Sequence, residues 1–373
     1  MKYYLIAGEA SGDLHGSNLM KGLLAEDPGA DIRFWGGQMM EAVGGTKFRD
    51  YKGTAVMGAS DVLRSLGKIN RNLKDCKADI LEWKPDVVVL IDYPGFNMKI
   101  ARFCHGHGIR VFYYIAPKTW ASREGRNRKL KAWVDRLFIV FPFEIPYFTA
   151  KQVPFVYKGN PLVDAVDDAQ YSRPVEGKYI AILAGSRKGE ISHTMPGAMQ
   201  MADALHALPE YAGYRFLIAG APARSAADYE KHIAGRQYVD LLFGRTYDIL
   251  KYADAALVNS GTASLEAALT GTPQVVCWST TALTIWAAKH LLHVQDHIKY
   301  ISLGNLILDK QAFRELIQDD YTPQAVTAEI RRLIEDLPYR EAMLADYKEI
   351  RHRLGGGGAS RAVAKAMVEE LAL

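Results

Sequence analysis

The sequence predicts an α/β protein built from two Rossmann-like domains that face a cleft, and three observations lead there. Short, continuously apolar runs alternate with longer helical patterns, the mark of parallel sheets covered on both faces. The pattern stops after Val156, passes through a polar stretch to Gly177, and starts again at Tyr179. The chain has 373 residues, more than one ordinary core accommodates.

The runs read as strands are Tyr3–Ala7, Asp86–Ile91, Val111–Ile115, Leu137–Phe141, Tyr179–Leu183, Arg215–Ala219, Ala255–Val258 and Gln274–Trp278. Stretches such as Asp61–Trp83 and Ser264–Leu269 carry helical periodicity and supply the crossovers of a doubly wound sheet. This places one domain at residues 1–165 and a second at 175–350. A tail over 351–373 begins with the glycines Gly355–Gly358 and ends in a helix from Ala359. Those glycines read either as a hinge that sends the helix to pack away from its own domain or as a loose link to a surface helix.

Composition narrows the function. A formal net charge of +4 suits phosphate-bearing ligands or an anionic membrane surface and is too weak to indicate nucleic acid. The 3 cysteines, Cys76, Cys104 and Cys277, lie far apart, so neither a disulfide framework nor a cysteine zinc site is expected, and a reducing cytoplasm fits. The N-terminal apolar run is interrupted by Glu9 and does not read as a signal peptide; no stretch reaches bilayer-spanning length.

The chemistry-bearing motifs follow strands. After Ala7 comes Gly8-Glu9-Ala10-Ser11-Gly12-Asp13-Leu14-His15-Gly16, with a helix expected near Leu14. Its spacing is not that of a dinucleotide site. Glu9, Asp13 and His15 suit sugar hydroxyls or proton transfer, while Asp13 alone reads better as a helix cap. Asp92 follows the apolar run Val87–Ile91 and is held by Pro94-Gly95; it reads as a turn acid or as a general base, and Asn97 as a sugar ligand or a cap. Pro117–Lys129 joins Trp120 to Lys118, Arg123, Arg126, Arg128 and Lys129, either an anionic-acceptor surface or a solvated basic face. In Asp61–Lys77, Val62, Leu63, Leu66, Ile69 and Leu73 form an apolar stripe between basic residues, which faces the core or lies on a membrane.

The second half carries phosphate chemistry. Gly185-Ser186-Arg187 offers glycine, hydroxyl and a forked cation after a strand. Ser260-Gly261-Thr262-Ala263-Ser264-Leu265-Glu266 opens a helix, whose N-terminus attracts phosphate, with Glu266 placed for a ribose diol. Asn305, Glu315 and Gln318 form a weaker third group, in which Gln318 taken alone reads better as a surface residue. No P-loop, nucleophile elbow or metal-binding histidine pair is present, and no Asp-x-Asp pair. No cofactor and no metal are therefore expected, with Arg187 and a helix N-terminus stabilising a departing diphosphate.

Together these motifs resemble the lipid-A-disaccharide synthase family over nearly the whole chain. The resemblance rests on Gly8–Asp13, Ile91–Asn97, Pro117–Arg126, Phe141–Glu144, Gly159–Leu162, Gly185–Arg187, Ser260–Glu266 and Asn305–Ile307. Gly95 stands where the family usually has Asp, and Asn160 where it usually has His; neither touches Asp92. The resemblance implies a GT-B type inverting glycosyltransferase. It would join UDP-2,3-diacylglucosamine to 2,3-diacylglucosamine 1-phosphate (lipid X), releasing UDP, with Asp92 as general base for the acceptor 6-hydroxyl. It implies a catalytic set of Asp92, Glu9, Asp13 and His15. The implied substrate-binding set is Ser11, Gly12, Asn97, Gly185, Ser186, Arg187, Ser260, Gly261, Thr262, Glu266, Asn305 and Gln318. A cytoplasmic, peripheral place on the bacterial inner membrane and a homodimer also accord with it. The alternative on the same architecture is another UDP-GlcNAc-type enzyme, a 2-epimerase or a peptidoglycan-precursor transferase.

Overall fold

The computed structural model describes residues 1–51, 62–121, 124–281 and 299–372, with the side chains of 62–66 outside that description. The chain divides into two compact units: Met1–Asp167 together with Leu354–Leu373, and Asp168–Arg353.

The first unit runs β1 (Lys2–Ala7), α1 (Ala10–Glu26), β2 (Asp31–Gly36), α2 (Gln38–Val43), β3 (Thr46–Asp50), α3 (Val62–Trp83), β4 (Val87–Ile91), α4 (Pro94–Gly106), β5 (Arg110–Tyr114), α5 (Arg126–Trp133), β6 (Arg136–Ile139), α6 (Glu144–Ala150), β7 (Phe155–Tyr157) and α7 (Pro161–Asp167). Its seven-stranded sheet has the order β3-β2-β1-β4-β5-β6-β7, and every pairing is parallel. All five residues of β4 are buried, as a central strand covered by helices on both faces requires. The strand order reverses between β1 and β4, so ligands are expected at the carboxyl ends of those two strands.

The second unit runs β8 (Tyr179–Leu183), α8 (Lys188–His206), β9 (Arg215–Gly220), α9 (Ala227–Ile233), β10 (Val239–Phe243), α10 (Thr246–Tyr252), β11 (Ala255–Asn259), α11 (Thr262–Thr270), β12 (Gln274–Trp278), α12 (Leu303–Leu308), β13 (Glu315–Ile317), α13 (Pro323–Glu335) and α14 (Leu337–Leu354). Its six strands take the order β10-β9-β8-β11-β12-β13, again parallel throughout, and reverse between β8 and β11.

The last helix, α15 (Ala359–Ala372), returns to the first unit and packs along α1. Two glycines, Gly355 and Gly358, turn the chain there with φ near +90°. Asp164 of α7 then caps the helix, accepting the N–H groups of Gly358, Ala359 and Ser360 at 2.6, 3.1 and 2.7 Å. Gly22 of α1 permits the close approach, since a Cβ there would stand 2.8 Å from that of Ala364. Arg136 pairs with Glu370 at 2.6 Å and Arg361 with Glu26 at 2.7 Å.

In α3, Leu73 is buried and Ile69 packs against the core, while Lys68, Arg71 and Lys74 are exposed. The described part of the stripe therefore faces inward. The side chains of Val62, Leu63 and Leu66, the other half of that expectation, lie outside the described residues, as do Asp61, Ser122 and Arg123. No helix among the described residues is long and apolar enough to cross a membrane. Cys76, Cys104 and Cys277 are buried free thiols.

Candidate active site: two switch-point clusters

At the first switch point, Asp92 and Tyr93 both adopt left-handed backbone, with φ of 45° and 48°. Such conformations are costly for non-glycine residues and persist only when neighbours hold them. Here the Asp92 N–H donates to the Tyr114 carbonyl at 3.0 Å. Its own carbonyl accepts the Asn97 amide at 2.8 Å and the Tyr113 hydroxyl at 2.6 Å. The backbone that carries the carboxylate is thus fixed from three sides. The Tyr93 ring folds over the end of the neighbouring β1, so close that a Cβ on Gly8 would fall 2.2 Å from it. That approach is what requires glycine at position 8.

The structure reassigns several residues expected to bind or react. Helix α1 begins at Ala10, so only Gly8 and Glu9 form the loop, and Ser11, Gly12, Asp13 and His15 lie on the helix. Gly12 is a packing glycine: a Cβ would meet that of Ala7 at 3.3 Å. Asp13 does not cap its own helix. Its carboxylate accepts the N–H groups of Gly37, Met39 and Met40 at 2.7, 3.1 and 3.1 Å and caps α2 instead. With both oxygens so engaged and 3% exposure, Asp13 anchors the β2–α2 turn. Asn97 is wholly buried and ties its amide to the carbonyls of Ile91 and Asp92, at 3.2 and 2.8 Å, rather than facing a sugar. His15 is buried, and its Nδ1 has no hydrogen-bond partner among the described residues. Burial pulls its pKa down to about 4, against the charge of Asp164, so the imidazole is neutral near pH 7. Glu9 occupies the N-cap position of α1 in extended backbone, and its charge reaches the Tyr93 hydroxyl.

The neighbouring strand ends carry a second, aromatic cluster. Trp120, after β5, donates Nε1–H to Glu144 at 3.2 Å and meets Phe143 edge-on at 4.9 Å. Phe143 stacks on Phe141 at 5.3 Å. Glu144 also accepts the N–H groups of Val140 and Phe141, at 3.1 and 3.0 Å. It is only 1% exposed. Burial pushes its carboxyl up to about 7, against the pull of those three donors and the charge of Lys118.

At the second switch point, Gly185 turns the chain with φ of +105° directly after β8. Glu190 then accepts the N–H groups of Ser186 and Arg187 at 2.9 and 3.1 Å and pairs with the Arg187 guanidinium at 3.3 Å. This closes a capping box on α8. Arg187 remains 68% exposed. Sequence reasoning missed Glu190, although its position three residues after the cap was the readable signal.

Across the same reversal, Ser260 donates its N–H to the Cys277 carbonyl at 2.8 Å and its hydroxyl to that of Ile301 at 3.2 Å. Gly261 is extended, and among the described residues no atom beyond its chain neighbours comes within 4 Å of where a Cβ would stand. Thr262 is exposed at the start of α11, the end whose first N–H groups have no intrahelical partner. Glu266 accepts the Tyr247 hydroxyl at 3.2 Å, and burial raises its pKa to about 7.

Asn305 and Gln318 are placed differently from expectation. Asn305 is fully buried; its amide donates to the Phe313 carbonyl and Glu315, at 3.0 and 2.8 Å, and its carbonyl accepts the Ala312 N–H at 2.8 Å. Glu315 in turn caps α12 through the N–H groups of Ile301 and Ser302, both at 3.0 Å. Gln318, at φ of 55°, is locked to the backbone of Thr280 by bonds of 3.0 and 2.9 Å. These side chains shape the loops beside β12 and β13; their hydrogen bonds are made within the protein.

The comparisons with known proteins agree with one another. A family model described as lipid-A-disaccharide synthetase matches residues 3–366. This chain belongs to that family. The lipid-A-disaccharide synthase of Geobacter metallireducens is 36% identical over 376 residues, covering 98% of this chain and 96% of its own length. That of Pseudomonas syringae pv. tomato is 35% identical over 384 residues, covering 100% and 98%. The family is one of glycosyltransferases, and the chain is an enzyme of that class. Solved structures share its fold at lower identity. A MnaA–UDP co-structure from S. aureus has a TM-score of 0.72 at 14% identity, covering 100% of this chain and 97% of that one. The glycosyltransferase of kitacinnamycin has 0.65 at 15%, covering 99% and 98%. A UDP-GlcNAc 2-epimerase from Neisseria meningitidis has 0.69 at 14%, covering 99% and 100%. The likeness to 2-epimerases is one of fold, whereas family membership sets this chain among the lipid-sugar transferases.

Proposed function

We propose that the chain transfers diacylglucosamine from UDP-2,3-diacylglucosamine to the 6-hydroxyl of 2,3-diacylglucosamine 1-phosphate. The products are the β-1,6-linked disaccharide 1-phosphate and UDP. In this reading Asp92 accepts the hydroxyl proton as the new C–O bond forms at the anomeric carbon. The bond to UDP breaks from the opposite face, which inverts that carbon. The observation that carries the reading is the Asp92 turn: a carboxylate on strained backbone, pinned by three hydrogen bonds at a switch point, in a chain of this family.

The second unit reads the nucleotide. Arg187 and the α11 N-terminus stabilise the diphosphate as negative charge grows on it, and Glu266 accepts the ribose hydroxyls. Ser186, Ser260, Gly261 and Thr262 supply the approach surface. Glu9 and Ser11, at the N-terminus of α1, bind the acceptor; Asp13, His15, Gly12 and Asn97 hold the frame around them. The exposed bases Lys68, Arg71 and Lys74 on α3 support a peripheral position on an anionic membrane, where both lipid substrates reside. Incubation with both substrates followed by mass analysis tests the reading. It expects the tetraacyl disaccharide phosphate and stoichiometric UDP; UDP formed without disaccharide would remove the transferase assignment.

A further inference from the structure

We infer that Trp120 is the platform on which the acceptor's sugar ring rests, with Lys118 and Arg126 beside it for the 1-phosphate, and that Glu144 is the residue that positions it. The inference rests on the reaction proposed above and assigns residues on the acceptor side.

Four observations carry it. First, Trp120 lies on the loop after β5, and β5 pairs directly with β4, whose end bears Asp92. The two loops are tied where they begin, by the Asp92–Tyr114 hydrogen bond of 3.0 Å. Second, the loop is pinned at two points by buried polar groups. Thr119 donates to Asn127 at 2.8 Å, Asn127 to Tyr147 at 2.7 Å, and Trp120 to Glu144 at 3.2 Å. An indole held this way loses little freedom on binding, which is how a rigid aromatic surface gains affinity. Third, Trp120 is only half-buried although its polar edge and one flank are engaged by Glu144 and Phe143. Part of a large apolar side chain thus stays accessible. Fourth, charge of the required sign is adjacent. Lys118 is exposed and its charge reaches Glu144; the charge of Arg126 reaches the Tyr113 hydroxyl, which itself donates to the Asp92 carbonyl.

The placement of Glu144 needs an explanation beyond the turn before α6. The N–H groups of Val140 and Phe141 in that turn already supply two backbone donors, yet a third donor comes from another loop, and the carboxyl is only 1% exposed. That third bond joins the loops after β5 and β6 and sets the indole's orientation. The ligand matched is an acylated aminosugar 1-phosphate: an apolar ring face for the indole and a dianion for the cations.

The test measures acceptor and nucleotide separately in the full-length protein. Trp120→Ala is expected to raise the acceptor KM tenfold or more while the Kd for UDP stays at the wild-type value. Trp120→Phe should fall between. Glu144→Gln keeps one acceptor oxygen for donors on both sides, so it should raise the acceptor KM less than Glu144→Ala, which should behave as Trp120→Ala, with kcat changed less than KM. A folded Trp120→Ala variant with wild-type acceptor KM overturns the inference and leaves the reaction standing. A wild-type chain that makes no disaccharide strikes the reaction instead. The platform is then decided by fluorescence titration with lipid X, which must report binding lost in Trp120→Ala. Should Glu144→Ala fail to fold, the Trp120 pair decides alone.

Discussion

The two switch points hold their functional groups by opposite means. At the first, strained backbone is fixed by internal hydrogen bonds: Asp92, Tyr93 and Ile115 all have positive φ at strand ends, and Asn97, Tyr113 and Asp13 use their polar atoms on the main chain. At the second, glycine and a helix start do the work: Gly185 turns the chain, Gly261 leaves space, and Arg187 and Thr262 face solvent. In the proposed reaction the difference follows from what each would recognise. A diphosphate is a compact, strong anion, and backbone N–H groups with one forked cation suffice. A general base must instead meet one hydroxyl within hydrogen-bond reach, and small misplacements are costly, so its backbone is over-determined.

The sharpest way to break this contrast is Asp92→Asn. The side chain keeps its shape and the backbone bonds are untouched, but no proton can be taken. Turnover is expected to fall by about a hundredfold or more, the scale of losing a general base, while UDP affinity by calorimetry stays level. Turnover near wild type would strip the first cluster of its catalytic reading and leave it a folding device.

How much of this was legible in the sequence also divides by position. The eight runs read as strands all correspond to strands, and they are the central ones, apolar because helices cover both faces. The strands that escaped notice were β2 and the four sheet edges, β3, β7, β10 and β13. These edges are only partly buried, so they carry mixed residues such as Thr46-Lys47-Phe48-Arg49-Asp50. The start of α1 was misjudged because Gly12 and Gly16 suggested a loop. They are close-packing glycines instead: a Cβ at Gly16 would stand 2.6 Å from Met40 Sδ. The places of Asp92 and of Gly185-Ser186-Arg187 at strand ends were readable because apolar runs precede them. The work of Asp13 was not, since its partners come from a separate element, nor was the bond from Trp120 to Glu144, which joins two loops that no local spacing connects.

A second prediction sharpens the comparison from the nucleotide side. Arg187→Ala removes the exposed guanidinium but leaves Glu190 on the two backbone N–H groups, so α8 keeps its cap. UDP affinity should weaken by about tenfold to a hundredfold, the loss of hydrogen bonds to a charged group, with thermal stability nearly unchanged. A stable variant with unaltered UDP affinity would move the diphosphate away from Arg187. Parallel losses of stability and affinity would show that this loop, like the first cluster, is an internally braced structure.

The smallest effect concerns the acid of the second switch point, Glu266. Burial raises Glu266 to about 7, so it is largely protonated at pH 6 in the nucleotide-free protein and largely ionised at pH 8. A carboxylate accepts two ribose hydroxyls, whereas the protonated group offers one of its oxygens as a donor instead. UDP affinity should therefore rise with pH, by up to about tenfold between pH 6 and pH 8 when only the ionised form binds. Glu266→Gln removes the titration at that site but not that of the nucleotide, so the difference between the two pH profiles isolates the side chain. Tyr247→Phe, which takes away the one hydroxyl that stabilises the carboxylate, should shift the wild-type profile toward higher pH. Superimposable profiles for wild type and Glu266→Gln would mean that the ribose is held elsewhere, leaving helix start and guanidinium as the whole of nucleotide recognition at this switch point.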